Sequence, residues 1–146
     1  MLGVDVGELL GRSRLSSTAE GHAQVWVIRD ALTPVDDLTG VTADIDVPSV
    51  AVFARSVTYG WGAFWSGRYG LLAVLLPELL VQSRAVLRDC QVADRPRAAD
   101  LAAQVHHLTA GTLLRMDAAD LAHTAARESL RLTAGGEYPL RDGPVR

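Results

Sequence analysis

The sequence contains no lysine and only one cysteine, so all 14 of its basic residues are arginine. A single cysteine, Cys90, excludes an internal disulfide framework and a zinc site made of four cysteines. The formal net charge of −3 argues against a domain that binds nucleic acid through a basic surface. No apolar run reaches the roughly 20 residues of a membrane span. A soluble, cytoplasmic, single-domain protein is therefore expected.

What the sequence has instead is helical periodicity. Apolar residues recur at three- and four-residue steps in most of the chain, and no alternating run of strand length is found. These patterns predict an all-α fold of about five helices with short loops, in which sequential helices pack antiparallel. The predicted helices cover residues 18–32, 48–66, 69–89, 96–116 and 118–134.

Several residues predict where these helices begin, bend and end. Thr18 is suited to cap the first helix, and Pro48 suits the first turn of the second. Gly67 suits the position just after the second helix. Pro77 predicts a kink in the third helix, with two shorter helices as the alternative. Asp117 is expected to cap the fifth helix.

The sequence predicts three regions along the chain. Residues 1–17, interrupted by glycine and serine, are expected to be a linker or the remnant of an upstream DNA-binding domain. Residues 18–136 form the predicted helical domain, which the glycine pair 135–136 ends. Residues 137–146, with two prolines, are expected to be a tail, and residues 35–47 an acidic loop.

Two stretches carry a family resemblance. One is Trp65-Ser66-Gly67-Arg68-Tyr69 with the Leu76-Pro77 pair after it, and the other is the run Asp120-Leu121-Ala122 with Ala125-Ala126-Arg127. They resemble the C-terminal helical region of actinobacterial XRE-type transcriptional regulators, over roughly residues 20–140. The resemblance implies a TPR-like array of helical hairpins that follows a helix-turn-helix domain.

The same resemblance suggests how the chain relates to DNA. Residues 2–10 are similar to the final helix of the family's helix-turn-helix domain, so the DNA-reading helices would lie upstream and outside this chain. There are departures from the family. Asp117 replaces the glycine usual at the repeat turn, and His106-His107 replaces an aromatic–glutamine pair. The repeat spacing is also longer than the 34 residues of an ordinary TPR.

An aromatic group beside an arginine is the best candidate site. Trp61 and Trp65 are four residues apart and stack along one helix face, and Arg68 and Tyr69 follow. Arginine offers a planar fork for a carboxylate or phosphate. The alternative is that the rings fill a helix seam and the arginines face solvent. The candidate ligand- or partner-binding residues are Trp61, Trp65, Arg68, Tyr69, Arg84 and His107.

Catalytic and metal-binding patterns are weak. There is no glycine-rich phosphate loop and no Gly-x-Ser-x-Gly elbow, and Cys90 has no histidine near it in sequence. The adjacent His106 and His107 point about 100° apart on a helix and cannot share one ion. His123 lies on another predicted helix, so a three-residue site would need two helices and a carboxylate such as Asp120. No enzyme activity, no metal and no cofactor are expected.

The resemblance implies a regulatory and interaction module of a transcriptional regulator. Such a module binds a peptide, a small ligand or a second protomer and passes that state to a DNA-binding head. DNA would be contacted only through the upstream domain, and no membrane partner is expected. The alternative is a purely structural helical dimerisation domain without a ligand, which would form a homodimer. An open groove lined by Trp65, Arg68 and His107 would favour the first interpretation.

Overall fold

A computed structural model describes the backbone of residues 6–33 and 45–141 and the side chains of residues 19–33 and 45–135. These residues form five α-helices and one turn of 3-10 helix at Val92–Asp94, with no strand in the described ranges. The all-α prediction is confirmed. The helices are α1 (Val6–Leu32), α2 (Val50–Trp65), α3 (Tyr69–Asp89), α4 (Arg95–Arg115) and α5 (Ala119–Arg141).

The two outer helices are longer than the sequence predicted. α1 begins at Val6, so residues 6–17 are helical and Thr18 lies inside the helix instead of capping it. α5 continues through Gly135 and Gly136 to Arg141. Glycine costs a helix about 1 kcal/mol relative to alanine, which weakens a helix without ending it. Part of the predicted tail is therefore helical, and residues 1–5, 34–44 and 142–146 lie outside the described residues.

The caps of two helices also differ from the predictions. α2 is capped by Ser49, whose Oγ accepts a hydrogen bond from the Val52 N–H at 3.2 Å, so Pro48 lies before the helix. A serine hydroxyl satisfies a first-turn N–H, which proline cannot do. Asp117 does not cap α5. It has a φ of 60° and belongs to the end of α4.

The core lies around α3 and α4. α3 packs against α1, α2 and α4, and α4 packs against α2, α3 and α5. The apolar stripes predicted from the sequence face this core, and each fully buried large side chain contributes roughly 1.5–3 kcal/mol. The largest fully buried apolar side chains are Ile28, Phe53, Val57, Leu72, Leu76, Leu80, Val86, Val105, Leu108 and Leu113.

α3 is a single helix with Pro77 inside it, so the alternative of two shorter helices is wrong. Among the described helices it alone is long and apolar enough to cross a membrane. Its buried residues, such as Leu72, Leu76 and Leu80, contact the helices around it. α3 is thus the central core helix of the fold.

The turn between α2 and α3 has a defined hydrogen-bond pattern. The Ser66 N–H donates to the Gly62 carbonyl at 3.1 Å, and the Arg68 N–H donates to the Ala63 carbonyl at 2.9 Å. Gly67 between them has a φ of +71°, the left-handed conformation that glycine adopts without strain. The predicted role of Gly67 after the second helix is confirmed.

The turn between α4 and α5 repeats this pattern at equivalent positions. The Met116 N–H donates to the Thr112 carbonyl at 3.1 Å, and the Ala118 N–H donates to the Leu113 carbonyl at 2.9 Å. Asp117 takes the left-handed place of Gly67. Aspartate tolerates that conformation better than most residues that carry a Cβ. Two successive helix pairs are therefore joined by the same turn.

Candidate functional site

Five rings from three helices form one surface, which we call the aromatic surface: Trp61, Phe64, Trp65, Tyr69 and His107. The Trp61 and Trp65 rings are stacked, with centroids 6.2 Å apart and planes 20° apart, as the sequence predicted. His107 of α4 meets Trp61 edge-on, with centroids 5.5 Å apart. Trp65 is 78% exposed, whereas Trp61 is partly buried, so Trp65 is the ring of the stack that faces solvent.

The base of the aromatic surface is held in place by α4. The Trp61 Nε1–H donates to Gln104 Oε1 at 3.1 Å, and the Gln104 Nε2–H donates to Asp100 Oδ2 at 2.9 Å. Sequence reasoning missed Gln104, because a contact between distant helices has no local signal. The hydrogen bond fixes the Trp61 indole, which then supports the exposed Trp65 ring.

α2 and α4 approach closely at two glycines. A Cβ placed on Gly60 would lie 2.7 Å from Leu108 Cδ2, and one on Gly111 would lie 3.0 Å from Phe64 Cε2. The missing side chain of Gly60 therefore lets α4 approach α2 closely. A Cβ on Gly62 would meet no atom within 4 Å.

An arginine of α4 lies over Tyr69. The Arg115 guanidinium carbon is 5.6 Å from the Tyr69 ring centroid, within cation–π distance. Arg115 ends α4 beside the first turn of α3, and these two ends share a cavity. Arg68 is exposed at the α2–α3 turn, next to Trp65 in sequence. At the end of α3, Asp89 pairs with Arg88 at 2.9 Å, and this hydrogen bond lowers the pKa of the Asp89 carboxyl.

Arg84 is not part of the aromatic surface. Its NH1 donates to the Ala31 carbonyl at 2.6 Å, at the end of α1. The last carbonyls of a helix have no partner within it, and an arginine commonly satisfies them. The structure therefore brings Trp61, Trp65, Tyr69 and His107 together and separates Arg84 from them.

Arg84 lines a second feature, which we call the basic groove. It is a cavity of about 680 Å³ between α3, α4, α5 and the end of α1. Sequence reasoning missed the groove because its residues come from helices far apart in the chain. Its charged and titratable lining consists of Arg84, His106, His123, Arg127, Glu128 and Arg131.

The adjacent histidines of α4 face different sites, as the helix geometry predicted. His107 is exposed and contacts Trp61, whereas His106 is buried and lines the basic groove. His106 Nδ1 donates to the Ala102 carbonyl at 2.9 Å, and burial lowers the pKa of its imidazole. Within residues 19–33 and 45–135, no group of three His, Cys, Asp or Glu side chains could hold a metal ion.

Comparisons of this chain with protein-family models, with curated proteins and with solved structures find no match. The resemblance to XRE-type regulators therefore stays a prediction.

Proposed function

We propose that this chain is a TPR-like interaction module of a cytoplasmic transcriptional regulator. Its aromatic surface docks a peptide, a small ligand or a second protomer, and DNA is reached only through another domain. The observation that carries the proposal is the 78% exposure of Trp65 on top of a fixed Trp61. A large exposed apolar ring on a rigid base is typical of a docking site.

Contacts between the helices support the hairpin array. Gly60 and Phe64 of α2 meet Leu108 and Gly111 of α4 in the same order, so these two helices run side by side in one direction. Ser129 Oγ donates to the Ala103 carbonyl at 2.8 Å, which favours α5 returning along α4. First helices that pack on first helices, joined by identical turns, are typical of helical-hairpin repeats.

The chemistry of the surface supports docking of a protein segment. Tryptophan, tyrosine and arginine are enriched at the centres of protein interfaces. Covering the Trp65 ring removes apolar area from water, worth roughly 25 cal/mol per Å². Arg115 lies over the Tyr69 ring, Arg68 is exposed in the α2–α3 turn, and both can donate paired hydrogen bonds to a carboxylate.

A displayed library of random peptides tests the proposal with a defined probe. Peptides selected on the full chain are expected to lose at least tenfold in affinity with Trp65→Ser, because the ring that they cover is gone. Val92→Ser is the matched control, since Val92 is 83% exposed and lies in the 3-10 turn away from the rings. Equal binding by Trp65→Ser would contradict the proposal, and a library that yields no peptide would exclude a peptide as the occupant.

The alternative is a structural homodimer without a ligand. One observation favours it: the surface carries both rings and guanidinium groups, so two copies could pair Arg115 with rings of the other copy in both directions. Sedimentation equilibrium of the full chain separates the two functions. A dimer that Trp65→Ser dissociates, in a chain that selects no peptide, would favour the alternative.

A further inference from the structure

We propose that the basic groove is a binding site for a small amphipathic organic anion, with a carboxylate or phosphate head and an apolar body. The groove lies on a different side of α4 from the aromatic surface: His106 lines the groove, and its neighbour His107 contacts Trp61. The inference goes beyond the docking function and does not depend on it.

The charge of the groove points to an anion. Among the described lining residues, two guanidinium groups of α5, those of Arg127 and Arg131, accompany one carboxylate, that of Glu128. Arg131 pairs with Glu128 through its Nε at 2.9 Å and its NH2 at 2.5 Å. Arg84 is anchored by the Ala31 carbonyl. Because Arg131 pairs with Glu128, the exposed Arg127 is the guanidinium of α5 that a bound anion would meet, and it would donate charge-assisted hydrogen bonds.

His106 gives the groove a fixed polar atom at its base. Its Nδ1–H is committed to the Ala102 carbonyl, so Nε2 is the nitrogen left for the cavity. Burial keeps the ring neutral, because it lowers the pKa, although Glu128 acts in the opposite sense and Arg84 and Arg131 in the same sense. A neutral imidazole presents Nε2 as an acceptor. A hydroxyl beside the anionic head would therefore find a partner.

The apolar part of the lining would contact the apolar body of the ligand. Leu32, Leu87 and Leu132 line the same cavity, each partly buried. A volume of about 680 Å³ lies in the range of small-molecule sites, and the three leucines give a mainly polar groove one apolar part. Inorganic anions alone would leave this apolar lining uncovered.

Calorimetry on the full chain tests the site with octanoate and phenyl phosphate as probes, and the better probe identifies the head group. We expect octanol, octylammonium and inorganic phosphate each to bind at least tenfold more weakly. Equal binding of octanol would show that the negative charge of the ligand does not contribute to affinity. Equal binding of inorganic phosphate would show that contact with the apolar lining does not contribute. Either result, or no binding of both organic anions, would overturn the proposal.

Variants locate the binding. Arg127→Gln removes an exposed guanidinium of the groove, and we expect about a tenfold loss of affinity for the better probe. Arg97→Gln is the matched control, because Arg97 lies in the first turn of α4 outside the groove. His123→Gln provides a second groove variant if Arg127→Gln does not fold. Unchanged affinity in a folded groove variant would overturn the proposal, and unchanged anion binding by Trp65→Ser would separate this site from the aromatic surface.

Discussion

Adding one methyl group at either of two glycines of α2 should have opposite effects on stability. Gly60 is buried, and a new Cβ would lie 2.7 Å from Cδ2 of Leu108, which is itself fully buried. Gly62 is exposed, and a new Cβ there would meet no atom within 4 Å. The two positions share one helix and differ in what they face.

The magnitudes follow from two terms. Replacing glycine by alanine in a helix gains about 1 kcal/mol at both positions. At Gly60 the gain is offset by overpacking, which costs about 1–3 kcal/mol when a core side chain has to move. We therefore expect Gly62→Ala to raise the free energy of unfolding by about 1 kcal/mol. Gly60→Ala should be about 1–3 kcal/mol less stable than Gly62→Ala.

Urea unfolding of both variants and the unchanged chain, followed by circular dichroism, measures these differences. For a chain of this size, 1 kcal/mol corresponds to about 2–4 °C in melting temperature. If Gly60→Ala were as stable as Gly62→Ala, the close approach of α2 to α4 would be refuted, and with it the geometry that holds Trp61.

Three further predictions concern the core, the repeated turn and pH. Leu76→Asp should unfold the chain, because it places an unpaired charge at a fully buried position, whereas Val74→Asp, 68% exposed on the same helix, should keep its circular dichroism and melting temperature. Gly67→Ala should cost roughly 1 kcal/mol in urea unfolding, and Asp117→Gly should gain up to about 1 kcal/mol, because both residues have a left-handed φ. The pKa of His106 is lowered by burial, so the unfolded chain binds the proton more readily. Stability should therefore fall as the pH drops below about 6.5, and His106→Gln should flatten this slope in unfolding curves.

The helices and their buried faces follow from local pattern, which is why the sequence predicted α2, α3 and α4 to within two residues. Leu72 and Leu76 recur at helical spacing, and spacing alone selects the face that is buried. The outer helix ends were harder to predict, because glycine only weakens a helix and the gain from packing is not local. Ser49 could have been recognised as a cap, because it has a hydroxyl and directly precedes Val50, where the helix begins.

Part of the candidate site could likewise be predicted from local spacing, and the rest depends on how the helices pack. The stack of Trp61 on Trp65 depends on positions four apart in one helix, so the sequence contains it. The Gln104 partner of Trp61, the place of Arg115 over Tyr69 and the whole basic groove depend on how separate helices pack. No spacing in the sequence encodes which residues of α4 face which neighbour.

Arg68→Ala tests the docking account most directly, because it separates binding from stability. The affinity of a peptide selected on the unchanged chain and the melting temperature should be measured on the same sample. Arg68 is exposed, so we expect a free energy of unfolding within about 1 kcal/mol of the unchanged chain, together with about a tenfold loss of peptide affinity. Unchanged affinity, or a loss of several kcal/mol in stability, would contradict the account.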